Sequence, residues 1–193
     1  MRISRRDIST EQSDAVRRQL SLLSAAADQV WPVCGPTCPS SVAQNCHSGC
    51  PDIPRALSDA PEEHPLEARI APLVYELRRL DGFRACWSCE GHERFGGLWK
   101  LPQVWFYAES QINVRVLADA IAALGQKGAL QAKWEVVVTH SDADNPDTTY
   151  ALRPKHGEDP KPLSALQADV VSITNSLVAI CRDQAKSLQA VVS

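Results

Sequence analysis

The chain has 193 residues, 44% hydrophobic and 22% charged, with a formal net charge of −3, an ordinary globular balance for one domain with an appended segment. With no run of Lys or Arg there is no clear footprint for duplex nucleic acid or an anionic membrane. No apolar run approaches the roughly 20 residues that span a bilayer, so the expectation is a soluble, cytoplasmic protein without a membrane partner.

Ser4-Arg5-Arg6-Asp7-Ile8 is similar to a twin-arginine export signal, but Glu11, Asp14, Arg17 and Arg18 interrupt the stretch that should be uncharged. Ser9 and Gln12 instead form a capping box, and Ala15, Val16, Leu20, Leu23, Ala27 and Val30 recur at helical spacing, predicting a first helix from Thr10 to Val30. Residues 31–65 break that pattern, because prolines at 32, 36, 39, 51, 54, 61 and 65 prevent regular structure. A loop of this length is uncommon unless it is functional or tied down, and four cysteines within it are the means of tying it.

From residue 66 to 193 the pattern is that of one α+β domain. Leu66, Ile70, Leu73, Leu77 and Leu80 mark a helix ended by Gly82, with Pro72 starting or kinking it. Phe83, Ala85, Trp87 and Cys89 alternate as in a strand, Gly91, Gly96 and Gly97 read as a connecting loop, and Val104 to Tyr107 reads as a second strand. A helix from Ile112 to Leu124 closes at Gly125. Trp134 to His140 and Thr148 to Arg153 form a hairpin, and the last helix starts near Pro162. The expected architecture is an antiparallel sheet of about four strands with helices on one face, plus the N-terminal helix and the cysteine-rich loop. The narrow stripe of the last helix suits packing lengthwise on its own domain, with pairing to the first helix or to a second copy in a homodimer as the alternative.

Chemistry concentrates in the cysteines. Seven are present, an odd number, and six fall between residues 34 and 89, which fits a secreted disulfide framework poorly and metal ligation well. Cys34 and Cys38, then Cys46 and Cys50, make two CxxxC pairs, a complete thiolate set for tetrahedral zinc or, as the alternative, an iron–sulfur cluster. A proline-broken loop cannot offset its ordering entropy by apolar burial, whereas metal binding can.

The second group is Cys86-Trp87-Ser88-Cys89-Glu90-Gly91-His92. Cys86, Cys89 and His92 supply three ligands, which is a catalytic pattern if water takes the fourth position and a structural one if His47 or His140 does. Reversible dithiol redox chemistry and plain strand packing of the two cysteines compete with that reading. If the protein is an enzyme, Glu90 and His92 are the candidate general base and acid. Phe95, Trp99, Trp105, Phe106 and Tyr107 suit sheet packing or stacking of a flat ligand. Asp142, Asp144 and Asp147 lack the glycine and glutamate of a calcium loop, and Cys181 reads as helix packing.

The stretch from Gly82 through Ser88-Cys89-Glu90-Gly91-His92 to Pro102-Gln103-Val104-Trp105-Phe106 resembles a motif of small bacterial and phage α+β domains of unknown function. Ser88, Cys89 and Gly91 are also similar to the SCSG-type turn of the tRNA wybutosine-synthesis methyltransferase family. That resemblance covers about Leu66 to Ala108 and implies a cofactor or RNA pocket near Ser88 to His92, while Glu90 and His92 depart from the family's pattern. The leading expectation is a metal-binding accessory or regulatory protein, zinc first, in which the N-terminal cysteine cluster holds the ion against the turn from Cys86 to His92. The rival is an enzyme with a Cys89, Glu90 and His92 site, metal-dependent or acting by methyl transfer to RNA. No phosphate loop, dinucleotide fingerprint or Ser-His-Asp signature is present.

Overall fold

The computed structural model describes residues 9–26, 66–139, 147–155, 157 and 161–192. Cys34, Cys38, Cys46, Cys50, His47 and His140 lie outside these residues. The first helix, α1, spans Thr10–Ser24, and its capping box is formed as the sequence implies: the Ser9 hydroxyl accepts from the Gln12 N–H at 3.1 Å, and the Gln12 side chain accepts from the Ser9 N–H at 3.2 Å.

The helix expected across Leu66 to Leu80 is confined to α2, Ala71–Arg78, with Pro72 in its first turn, where a missing N–H costs nothing. Strands β1 (Phe83–Arg94) and β2 (Gly97–Ala108) then form a single long antiparallel hairpin. The glycine loop expected after Cys89 is therefore not a loop. Gly91 lies inside β1 at φ +85, and the chain reverses only at Phe95 and Gly96, whose φ values of 54 and 77 are the positive pair that a tight hairpin turn requires.

Helix α3 (Gln111–Gln126) continues past Gly125. The hairpin β3 (Trp134–Thr139) and β4 (Thr149–Pro154) forms as the alternation implies, and α4 (Leu163–Val192) ends the chain. The sheet order is β1-β2-β4-β3, all antiparallel, which leaves β1 on an outer edge.

One face of the sheet carries Val104, Phe106 and Leu152, all fully buried, and packs against Leu117 and Ile121 of α3 and Ile173 and Leu177 of α4. The helix α1 lies over α3 and α4, contributing Leu20 and Leu23. Burying a leucine of this kind contributes roughly 1.5–3 kcal/mol.

In α4 the segment Leu163–Val191 is long and apolar enough to cross a membrane by length and composition, contrary to the sequence expectation. The apolar stripe responsible is Leu166, Val170, Ile173, Leu177, Ile180 and Cys181, which packs into this core. Asp169, 1% exposed, anchors the same helix to the loop before β3: its carboxylate accepts from the N–H groups of Gln131 (2.8 Å) and Ala132 (2.9 Å) and from the indole Nε1 of Trp134 (2.9 Å).

Candidate metal centre

Two irregularities bracket the segment that carries the chemistry. The β1–β2 register shifts between Ala85 and Trp87 and again between His92 and Glu93. The first shift inserts Cys86 as an extra residue, so the simple alternation read from Phe83 to Cys89 does not hold. Ala85 pairs with Phe106 and Ser88 with Val104, which keeps Ser88, rather than Trp87 or Cys89, in step with the core-facing residues of β2. Trp87 is 42% exposed and packs on Trp105 at 4.9 Å between ring centroids. Cys86 is exposed, whereas Cys89 is 3% exposed.

An outer strand presents unpaired backbone groups, and proteins cover such edges. Here the cover is made of side chains at Glu90. Its N–H donates to Glu67 Oε2 at 2.6 Å, and its carbonyl accepts from Gln167 Nε2 at 3.2 Å. Its own carboxylate accepts the Arg69 N–H at 2.9 Å, and Arg69 in turn hydrogen-bonds Gln167. The turn preceding α2 and the start of α4 are thereby stitched to the edge of β1.

Glu67 does more than cap that edge. Its Oε1 lies 2.7 Å from His92 Nε2, and its carboxylate also bonds the Cys89 thiol. Ligand atoms of Glu67, Cys89 and His92 all lie within 4.8 Å of one another. A tetrahedral ion with bonds of about 2.0–2.3 Å needs its ligand atoms about 3.3–3.7 Å apart. The group is close to that size: Glu67 Oε1 and His92 Nε2 need to part by only roughly half an ångström from 2.7 Å, and no pair of ligand atoms exceeds 4.8 Å. The donor set of one soft sulfur, one imidazole and one carboxylate suits a borderline ion. Glu67 and His92 keep 31% and 36% of their side-chain surface exposed, so the group opens toward solvent.

Cys89 sits where a thiolate is disfavoured unless a cation stands beside it. Burial is the largest influence and pushes its thiol above the ordinary value of 9.0. The nearby Glu67 carboxylate pushes the same way, while the Gly91 N–H and Lys100 pull it partly back. Burial also raises Cys86. Redox, nucleophilic and metal-ligating cysteines all act as the thiolate. A divalent ion beside Cys89 would replace the thiol proton and supply the missing positive charge.

Of the residues expected from the sequence, the structure brings together Cys89 and His92, while Cys86 is not in the group. Glu90, the expected base, is a neighbour whose carboxylate is already bonded to a backbone N–H. Glu67 is the member the sequence does not announce.

No protein-family model and no curated protein matches the chain. Among solved structures, "Structure of PH1069 protein from Pyrococcus horikoshii" aligns over 74% of this chain and 93% of that one, at 15% identity and a TM-score of 0.31. A likeness this loose carries no argument about function.

The local backbone explains how Cys89 and His92 come together on an edge strand. Gly91 sits between them at φ +85, a conformation that L side chains rarely adopt. A Cβ there would lie 2.5 Å from Leu163 Cδ1 and 3.0 Å from the Pro102 backbone nitrogen. Glycine at this position lets α4 and β2 close on the strand and turns the chain between the two ligands.

Proposed function

We propose that this is a zinc-binding accessory or regulatory protein whose ion is held by Glu67, Cys89 and His92. The observation that supports it is the convergence of a carboxylate, a thiol and an imidazole within 4.8 Å, from positions as far apart in sequence as Glu67 and His92. Zinc is favoured over iron–sulfur because the group holds one thiol, whereas clusters are held by several cysteines.

Among the described residues three side chains converge on the ion, and in this reading an exogenous group takes the fourth position, unlike in a closed structural zinc site. The ion would neutralise the thiolate and the carboxylate and tie the turn before α2 to β1, so that binding also stabilises the fold.

The test is metal content by mass spectrometry on full-length protein purified without oxygen or chelator, for the native chain, Glu67→Gln and Cys89→Ser. The expected result is near-stoichiometric zinc in the native chain and about one equivalent less in each variant. Equal zinc in all three would refute the assignment.

A further inference from the structure

The surroundings of the open position carry a second argument, which rests on the metal reading above. A divalent ion bound by one thiolate, one carboxylate and a neutral imidazole has no net charge left. Across the hairpin from His92 stands Lys100, its directly paired residue, exposed at the surface. The Lys100 ammonium lies 4.5 Å from the centre of the Trp99 ring, and that ring is 6.4 Å from the His92 ring and 55% exposed. The Arg94 guanidinium lies over the same indole at 5.6 Å. Against these cations stand two acids on β1: Glu93, which is exposed, and Glu90, whose carboxylate is bonded to the Arg69 N–H. A neutral metal centre flanked by a lysine is matched by a ligand bearing one negative charge, and the exposed indole offers a flat apolar wall beside it.

We infer that the fourth coordination position binds a small carboxylate-bearing ligand, with Lys100 as its second anchor and Trp99 as its flank. The carboxylate would give one oxygen to the ion and accept a charge-assisted hydrogen bond from the ammonium with the other. The ligand is a monocarboxylate rather than a phosphate dianion, because Glu93 offsets Arg94 and leaves the single charge of Lys100 beside the neutral centre.

Cobalt(II) loaded in place of zinc makes the coordination visible. The probe is sodium acetate, titrated at constant ionic strength into the cobalt form of the full chain with Cys34, Cys38, Cys46 and Cys50 replaced by serine, so that the thiolate band reports Cys89, with inorganic phosphate in parallel. The expected result is a saturable change in the d–d bands with acetate and a much weaker response to phosphate. Lys100→Ala should weaken the acetate response roughly tenfold, and Lys100→Arg should restore it to within about threefold. The spectrum of each cobalt-loaded variant before acetate reports whether its site has formed. Cobalt bound with a thiolate charge-transfer band but insensitive to acetate would overturn this inference and leave the metal site standing. An acetate response unchanged in Lys100→Ala, or equal competition by phosphate, would overturn it in the same way. No thiolate-to-cobalt band at all would overturn the metal site, and the inference with it.

Discussion

Glu67→Gln separates the carboxylate's part in the fold from its part in binding an ion. In the metal-free protein Glu67 accepts the Glu90 N–H at 2.6 Å and meets His92 Nε2 at 2.7 Å. Glutamine keeps an amide oxygen for Glu90, and its NH2 can face a His92 ring that has moved its proton to Nδ1. Two charge-assisted bonds become neutral ones at a side chain 31% exposed, so metal-free stability should fall by no more than about 1 kcal/mol.

The zinc-bound comparison differs, because a carboxamide is a poor zinc ligand. At a free zinc concentration 100-fold above the native dissociation constant, binding stabilises the fold by about 2.7 kcal/mol. If the substitution weakens binding about 100-fold, the same zinc stabilises the variant by only about 0.4 kcal/mol. The gap of about 2.3 kcal/mol corresponds to roughly 1 M in urea midpoint for a domain of this size. The assay is urea unfolding followed by circular dichroism, for both proteins, in chelator and in buffered zinc. A zinc-induced shift as large in Glu67→Gln as in the native chain would refute the reasoning.

Gly91→Ala should cost at least about 2 kcal/mol in urea unfolding, since the new methyl meets Leu163 and the Pro102 backbone at a φ of +85; a loss under about 0.5 kcal/mol would mean that β1 is not seated as described. Asp169→Ala leaves the Gln131, Ala132 and Trp134 donors without their acceptor beside a buried helix face, and should cost about 3–5 kcal/mol, read as a drop in thermal midpoint. Burial pushes the Cys181 thiol from 9.0 up to about 12. The folded state thus holds this proton where the unfolded state has lost it, and its stabilising contribution, complete below pH 9, disappears as pH rises toward 12. Between pH 8 and 10 the native chain should lose about 1.4 kcal/mol more stability than Cys181→Ala, measured by urea unfolding at each pH; parallel losses would contradict that assignment.

Local patterns made much of this fold readable. The alternation from Trp134 and the turn-rich residues after it yield β3 and β4, and the three-and-four stepping from Leu163 yields α4. Reading failed where one residue type serves two purposes. Glycine usually marks a turn, so Gly91 read as the start of a loop, yet here it permits close packing and a positive φ within a strand. The bulge at Cys86 leaves no trace in hydrophobic alternation and shifts every later residue of β1 to the other face.

The Cys89 and His92 pair was legible because both ligands lie within one short motif. Glu67 was not, because only the docking of the turn before α2 on the outer edge of β1 brings its carboxylate to them. The shortening of α2 follows from Pro72, whose fixed φ suits a first helical turn and not an interior one.

The most direct test of the account is zinc X-ray absorption on the full chain with Cys34, Cys38, Cys46 and Cys50 all replaced by serine, which leaves Cys89 as the sulfur donor of the proposed centre. The account predicts that zinc is retained with a single sulfur at about 2.3 Å and its remaining ligands at about 2.0–2.1 Å. Loss of zinc from this variant, or a first shell of nitrogen and oxygen alone, would contradict it.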